Sequence, residues 1–133
     1  MINQPLRTKL IKAAKEVIKN SYSHHSGFRV GSALLGKSGR IYKGTNVEFD
    51  AFSLTVCAER AALFAGIAGG DKIFNAAAIV TSSKEFIYPC GLCRQALVEF
   101  NPDMEIILIT KGNRIKSFIL KDIMPDYFKL NLV

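Results

Sequence analysis

The sequence lacks the features of disulfide-stabilised, membrane-spanning and secreted proteins. Its 133 residues include only three cysteines, and an odd number of thiols argues against a disulfide framework. No apolar run is long enough to cross a bilayer, and residues 1–9 are too polar for a signal peptide. We therefore expect a cytoplasmic protein that has no membrane partner.

The composition excludes the disordered class. Hydrophobic residues make up 49% of the chain and charged residues 22%, which is the balance of an ordinary globular protein. A chain of this length has room for one hydrophobic core, and neither a repeat nor a linker interrupts it. We expect a single domain over residues 1–133.

The net charge of +7, from 18 basic and 11 acidic side chains, raises the question of nucleic acid. The basic residues are spread along the chain, and the densest group lies on the polar side of the first predicted helix. No aromatic side chains alternate with them, as a groove for single-stranded nucleic acid requires. The charge therefore predicts a solvated helix face and no nucleic-acid partner.

Hydrophobic periodicity and turn residues divide the chain into helices and strands. A helix beginning near Pro5 is followed by a hairpin, and strands then alternate with helices that end at glycine or before proline. This order predicts an α/β fold with a mixed sheet sandwiched between helices. The predicted helices are Leu6–Ile18, Cys57–Ala68 and Cys90–Phe100, and the predicted strands are Val30–Leu35, Ile41–Asn46, Ala76–Thr81, Glu105–Thr110 and Ile115–Leu120.

All three cysteines stand where two of the predicted helices begin. Cys90 and Cys93 are three residues apart, which puts both thiols on one helix face, and Cys57 opens the preceding helix. The dipole and free amides at a helix N-terminus favour the thiolate form that binds metal. Zinc prefers four ligands, so three cysteines without an obvious fourth leave one position for water, as in catalytic zinc sites.

The residues that follow Cys57 suit hydrolysis at such a site. Glu59 places a carboxylate two residues from a metal ligand, where it can take a proton from water and return it to a leaving group. Three thiolates over-neutralise a zinc ion, and Arg60 can offset their charge by donating hydrogen bonds to sulfur. The pattern predicts that Glu59 is the catalytic acid and base.

A purely structural zinc clamp is the main alternative interpretation of the cysteines. Such sites normally have a fourth protein ligand. His24 or His25 could supply one, although adjacent side chains rarely face a single ion and a surface loop is the simpler interpretation. A Glu59→Gln variant that loses activity but retains zinc would exclude a non-enzymatic role.

Longer segments carry a resemblance to a known family. Phe28–Ala33, Asn46–Glu48, Leu54–Ala62 and Pro89–Gln95 resemble, in order and spacing, the small homotetrameric cytidine deaminases of pyrimidine salvage. Ile123–Phe128 is similar to the closing Leu-Leu-Pro-x-x-Phe of that family. The resemblance spans essentially the whole chain. It implies zinc-dependent hydrolytic deamination of cytidine or 2′-deoxycytidine with release of ammonia.

The resemblance also implies a role for individual residues. An amide and a carboxylate suit a sugar hydroxyl, since one can donate and the other accept a hydrogen bond, and such a pocket should reject substrates without that hydroxyl. The implied roles are zinc ligand for Cys57, Cys90 and Cys93, general acid and base for Glu59, base contact for Phe28 and for the backbone near Ala58, ribose contact for Asn46 and Glu48, and closure of a neighbouring subunit's pocket for Phe128.

The chain departs from the family in two loops. After Asn46–Glu48 the family usually continues Asn-Ala-Ser-Tyr-Gly, whereas this chain has Phe49–Ser53, in which Phe52 replaces a tyrosine. Upstream, the usual Tyr-Ser-Pro-Tyr-Ser becomes Tyr22–Ser26. These changes leave the deamination residues intact. They favour, as an alternative substrate, a modified or bulkier cytosine nucleoside of the kind used by blasticidin-type deaminases.

A polynucleotide-editing deaminase of the same fold is a further alternative. Those enzymes generally use histidine as the first zinc ligand and carry insertions that grip a strand, whereas this chain has Cys57 and no spare length. A nucleoside has no phosphate backbone, so a KM that does not depend on salt would separate the two functions.

The homotetramer that the resemblance implies needs an apolar contact between subunits. The helix around Leu63, Phe64 and Ile67 is a plausible central contact, because a patch of this kind is too apolar to leave exposed. The same residues would also suit the core of a single chain.

Overall fold

The predicted helices and strands are all present, with ends displaced by at most two residues, in a computed structural model that describes residues 1–130. The helices are α1 (Gln4–Val17), α2 (Ala58–Ala68) and α3 (Gly91–Phe100), and the strands are β1 (Val30–Gly36), β2 (Ile41–Thr45), β3 (Phe74–Thr81), β4 (Glu105–Ile109) and β5 (Ile115–Ile119). Short 3-10 helices occupy Ile18–Asn20, Phe52–Leu54 and Leu120–Ile123. Within residues 1–130, none of the helices combines the length and apolar character needed to cross a membrane.

The five strands form one mixed sheet in the order β2-β1-β3-β4-β5. β3 and β4 are parallel and are connected through α3, as a parallel pair requires, while the other neighbouring strands are antiparallel. The hairpin and the helical crossover expected from the sequence are therefore both confirmed.

Both faces of the central strands are covered, which gives three layers. Successive side chains of a strand point to opposite faces, so the apolar run of β3 contributes to two separate clusters. The cluster on the α1 side includes Leu10, Ala14, Ala33, Ala78 and Ile107, and the cluster beneath α2 and α3 includes Leu34, Ala62, Ile79, Leu97 and Ile106. The predicted sandwich of a sheet between helices is confirmed.

The polar face of α1 is solvated, as the charge pattern predicted, with one exception. Lys9, Lys12 and Lys15 are exposed. Arg7 instead reaches the edge of the sheet and forms an ion pair with Glu105, whose side chain is almost fully buried. The sequence could not predict this pairing, because the two residues are far apart along the chain.

Gly44 of β2 allows α2 to lie close to the sheet. A Cβ atom at this position would lie 2.3 Å from the backbone nitrogen of Ala62 and 2.5 Å from the carbonyl oxygen of Ala58. Backbone atoms cannot rotate away from such a contact. Gly44 therefore sets the distance between β2 and the first turn of α2, which carries the site described below.

We expect Gly44→Ala to lower the free energy of unfolding by about 1–3 kcal/mol, because the added methyl group must push α2 away from the sheet. Urea unfolding followed by circular dichroism measures this loss. Gly112→Ala is the matched control, since a Cβ at Gly112 would meet only Thr110 Oγ1, at the ordinary contact distance of 4.0 Å, and it should change the free energy of unfolding by no more than about 0.5 kcal/mol. Equal stability of the two variants would contradict the close packing.

Candidate active site

The three cysteines meet between the N-terminal ends of α2 and α3. Cys57 and Cys90 immediately precede these helices, and Cys93 lies in the first turn of α3. The Sγ atom of Cys90 is 3.7 Å from that of Cys57 and 3.5 Å from that of Cys93, and all three sulfurs lie within 4.8 Å of one another. Two segments that are distant in sequence thus present one cluster of thiols.

The spacing of these sulfurs fits a zinc ion. Tetrahedral coordination with Zn–S bonds of about 2.3 Å separates ligand sulfurs by about 3.8 Å. Within residues 1–130 the group contains no fourth protein ligand, and His24 and His25 belong to a separate group with Asp50. The cluster can therefore hold zinc through three sulfurs and leave one coordination position for a small molecule.

The thiols of the cluster differ in acidity. A hydrogen bond with Cys93 lowers the pKa of Cys57 to about 5, and Arg60, whose Nη2 lies 3.6 Å from Cys57 Sγ, acts in the same direction. The same hydrogen bond, together with burial, raises the pKa of Cys93. Metal binding must therefore release a proton from the cluster, and Arg60 lies where it can offset the negative charge of the thiolates.

Glu59 is the second residue of α2 and is only 5% exposed. Burial is the largest influence on its carboxyl group and raises the pKa to about 7, and the nearby charge of Cys57 acts in the same direction. A carboxyl group with a pKa near neutrality can both accept and donate a proton at physiological pH. Glu59 therefore has the properties of a proton-transfer group.

A cleft of about 230 Å³ opens above Glu59. This volume lies just below the range of about 300–1,000 Å³ that is usual for small-ligand pockets, and its lining is mostly apolar with a few polar groups. The sequence-predicted residues that line it are Phe28, Asn46, Glu48, Cys57, Ala58, Glu59 and Cys90. The fold thus brings together residues from four separate motifs around a space for a small molecule.

The segment that carries Asn46 and Glu48 is held on both sides by backbone hydrogen bonds. Tyr22 donates to the carbonyl of Asn46 and accepts from the amide of Glu48, at 3.0 and 2.8 Å. Val47 exchanges a pair of 3.0 Å hydrogen bonds with Val56. The two polar side chains therefore project from an immobilised backbone.

The side chain of Asn46 is already engaged in three hydrogen bonds. Its Oδ1 accepts from the amide of Val30 at 2.9 Å and from the Ser21 hydroxyl, while its Nδ2 donates to the Phe28 carbonyl at 2.8 Å. A primary amide has two N–H donors, so one remains for a ligand. Asn46 therefore fixes the backbone of the Phe28 segment and can still donate to a bound molecule.

Glu48 is held as an ionised acceptor. The backbone amides of His25 and Ser26 each donate to its Oε1 at 3.0 Å, and the Ser26 hydroxyl donates to its Oε2. These hydrogen bonds, chiefly those from Ser26, hold the pKa of Glu48 below its usual value. The carboxylate retains acceptor capacity on Oε2 for a ligand hydroxyl.

Phe128 does not line the cleft of its own chain. Its side chain is 68% exposed, and its carbonyl oxygen accepts a 3.0 Å hydrogen bond from Nε2 of Gln95 on α3. Closure of a neighbouring subunit's pocket by this residue stays a prediction.

Several residues that shape the cleft give no individual functional signal in the sequence. Ser26 orients Glu48, and the hydroxyl that does so gave no signal of its own within the turn-forming segment. The remaining lining residues are Val30, Thr55 and Val56, which belong to the segments that resemble the family, and Ile79, Thr81, Ile87 and Tyr88, which lie in strand or loop sequence without a functional signal. Only the fold shows that they face the same space.

Comparisons with known proteins agree with this geometry. Residues 5–110 match the family model described as "Cytidine and deoxycytidylate deaminase zinc-binding region". A cytidine deaminase from Sporosarcina psychrophila is 38% identical over 121 residues, which cover 90% of this chain and 89% of that protein. A blasticidin-S deaminase from Bacillus cereus is 28% identical over an alignment that covers 92% of this chain and 91% of that protein. The crystal structure of cytidine deaminase from Burkholderia pseudomallei superposes with a TM-score of 0.88 at 35% identity, over 96% of this chain and 100% of that one.

Proposed function

This chain belongs to the cytidine and deoxycytidylate deaminase family, and we propose that it hydrolyses cytidine or 2′-deoxycytidine to uridine or 2′-deoxyuridine and ammonia. The main support for this function is the buried Glu59 carboxylate at the base of a small-molecule cleft, next to three thiols whose spacing suits zinc. The cofactor is zinc, because the matched family model is a zinc-binding region and the cysteine cluster fits that ion.

In the proposed site Cys57, Cys90 and Cys93 hold the metal, and Arg60 offsets their charge. Zinc, when bound, supplies the acidity that makes water a nucleophile at neutral pH. Glu59 accepts the proton from the attacking water and delivers it to the ring nitrogen N3. Glu59 then takes the proton of the hydroxyl newly added at C4 and transfers it to the amine, so that the C4 carbonyl forms as the C–N bond breaks and ammonia leaves.

The cleft orients the base between an aromatic ring and the start of α2. Phe28 lines one wall and offers a flat apolar surface against which a pyrimidine can stack. Ala58, the first residue of α2, also lines the cleft, and its backbone groups can contact the edge of the base. Together with Glu59 these groups place C4 towards the cysteine cluster.

Asn46 and Glu48 form the proposed ribose subsite. Asn46 keeps one N–H donor after its three protein hydrogen bonds, and Glu48 keeps acceptor capacity on a fixed carboxylate. A sugar hydroxyl can accept from the first and donate to the second at the same time. This pairing supports a nucleoside rather than a free base as the substrate.

We expect Glu48→Gln to lower kcat/KM for cytidine by about 10–100-fold, because a hydrogen bond to an ionised acceptor contributes about 1.5–3 kcal/mol. The same substitution should have little effect on 2′,3′-dideoxycytidine, which lacks the hydroxyls that the carboxylate would bind. Glu85→Gln, at an exposed carboxylate, is the matched control. An equal loss for both nucleosides would show that Glu48 acts only through the loop it stabilises.

The direct test of the proposed function is the decrease in ultraviolet absorbance when zinc-quantified protein is mixed with cytidine or 2′-deoxycytidine. Turnover with a KM that does not change between low and high salt supports the nucleoside activity, since no phosphate contacts are involved. Turnover of single-stranded polynucleotide with a steep salt dependence would contradict it.

A bulkier cytosine nucleoside is the second candidate substrate. The observation that favours it is Phe52, an exposed residue that replaces the family's tyrosine near the rim of the cleft. The centre of its ring lies 5.2 Å from the centre of the His25 ring. The similarity to a blasticidin-S deaminase is consistent with such a substrate. Adding modified cytosine nucleosides to the same assay distinguishes the candidates: a higher kcat/KM for a modified nucleoside than for cytidine would identify it as the preferred substrate.

We also propose a single domain over residues 1–133, a homotetramer, a cytoplasmic location and a role in pyrimidine salvage. The free cysteines support a reducing compartment.

Two exposed aromatic residues support contacts between subunits: Phe64 is 53% exposed to solvent and Phe128 is 68% exposed. Leu63 does not support such contacts, because it is buried in the core of its own chain. Sedimentation equilibrium tests the oligomer.

A further inference from the structure

The two histidines of the chain converge on one carboxylate outside the cysteine cluster. His24 and His25 are the only histidines in the sequence, and the Nε2 atom of each lies 3.1 Å from the same oxygen, Oδ1 of Asp50. All three donor atoms lie within 4.8 Å of one another. The sequence favours an ordinary surface loop at these histidines, because adjacent side chains rarely face one ion, but in the fold the Nε2 atoms of both face the same carboxylate oxygen.

We propose that His24, His25 and Asp50 form a binding site for a divalent transition-metal ion. With metal–ligand bonds of about 2.0–2.2 Å, an N–O separation of 3.1 Å corresponds to an angle of about 95–100° at the ion. This angle lies between the octahedral and tetrahedral values. Both histidines would therefore coordinate the ion together with the carboxylate, with little rearrangement of the loops.

The imidazole rings are held in place by aromatic neighbours. The centre of the His24 ring lies 4.6 Å from the centre of the Tyr22 ring and 4.0 Å from that of the His25 ring. The His25 and Phe52 rings meet edge to face, with their centres 5.2 Å apart. This row of four rings restricts the rotation of both imidazoles, so the nitrogens are oriented before an ion arrives. Such preorganisation is what a binding site on a surface loop needs.

The chemistry of the donors selects the class of ion. Two imidazole nitrogens and one carboxylate suit zinc, nickel, copper or cobalt, whereas calcium and magnesium prefer oxygen ligands alone. His24, His25 and Asp50 are accessible to solvent, with 42%, 35% and 91% of their side chains exposed. Water can therefore complete the coordination sphere.

The site would connect two loops at the rim of the cleft. Asp50 follows Glu48 by two residues, and the backbone amide of His25 donates directly to the Glu48 carboxylate. An ion bound here would cross-link the turn that carries the histidines to the loop that carries Asp50. All three ligands stand where the chain departs from the family pattern described above, so this site would be a property of this chain.

The test is a titration of Ni²⁺ into the full-length, tag-free protein after its cysteine site has been loaded with zinc. Isothermal titration calorimetry should show one Ni²⁺ bound per chain with a dissociation constant in the micromolar range, while the zinc content stays unchanged. Because only two histidines exist, their side-chain ¹H–¹⁵N resonances can be assigned from the single variants. Both sets should broaden on addition of the paramagnetic ion.

His24→Asn and Asp50→Asn should each weaken Ni²⁺ binding by at least about tenfold, as expected for the loss of a ligand group. Asp103→Asn, at an exposed carboxylate that pairs with Lys121, is the matched control and should bind as the unmodified protein does. Thermal unfolding without nickel establishes that each variant is folded, and nickel should raise the Tm of the control but not that of Asp50→Asn.

Three results would overturn the site: no saturable binding, equal binding by all variants, or half an equivalent of nickel per chain, which would indicate an ion shared between two chains. Binding and resonance broadening require no turnover. The outcome is therefore independent of whether the proposed deaminase activity is found.

Discussion

We expect Glu59→Gln to lower kcat for cytidine by about 10²–10⁴-fold while the protein keeps its zinc and its fold. This is the range by which a positioned acid–base group accelerates proton transfer. Glutamine has nearly the shape of glutamate but can carry neither the proton that passes from water to the ring nitrogen nor the second proton that passes to the departing amine. The side chain is 5% exposed, so bulk water cannot replace it as a proton carrier.

The measurement is kcat on zinc-quantified protein, with zinc content and circular dichroism recorded for each variant. Glu99→Gln is the matched control, since Glu99 is an exposed carboxylate on α3. It should retain the activity of the unmodified protein. Activity of Glu59→Gln within a factor of ten of the control would show that another group transfers the proton, and the proposed mechanism would fail.

We expect Cys90→Ala to remove most of the zinc and, with it, the deaminase activity. The variant keeps only two protein sulfurs for the zinc ion. Its affinity for zinc should fall by more than about 10–100-fold, which is the usual loss when a residue that merely hydrogen-bonds to a metal ligand is changed. Cys90 is the informative choice because it is exposed and its side chain makes no capping hydrogen bond to α3. The helix should therefore form without it, and the loss can be assigned to the metal.

Zinc per chain, measured by mass spectrometry after dialysis, is the primary readout, and kcat and Tm are measured on the same sample. Leu92→Ala, two residues away and 68% exposed, is the matched control and should keep one zinc per chain. Treating the unmodified protein with a chelator should reproduce the low activity and the lower Tm, since ion binding stabilises only the folded chain. Full zinc occupancy in Cys90→Ala would contradict the three-cysteine site.

The local features of the chain could be predicted because they depend on neighbouring residues. Helices and strands follow from periodicity and from Gly and Pro signals, and their ends differ from prediction by at most two residues. The cysteine cluster was predictable for the same reason: Cys90 and Cys93 lie on one turn of a helix, and Cys57 begins another helix. Helix geometry alone determines that these thiols project from helix N-termini.

Contacts between distant segments required the fold. The order of the strands, the buried pairing of Arg7 with Glu105, and the inward position of Leu63 depend on how the elements pack. The same is true of the cleft, where Asn46 uses most of its hydrogen-bonding capacity on the Phe28 segment before any ligand arrives.

The group of His24, His25 and Asp50 shows most clearly which features depend on the sequence alone and which depend on the tertiary structure. The sequence by itself contains the deaminase motifs and predicts the acid–base carboxylate and the ligand types, because residue identity and short spacings set that chemistry. The sequence did not determine that His24 and His25 face Asp50, because Asp50 lies 25 residues after His25. The loop of Asp50 is held beside the histidines by the backbone hydrogen bonds of Tyr22 with Asn46 and Glu48. Only the tertiary structure brings the three donors to one point, since non-local hydrogen bonds position one loop against the other.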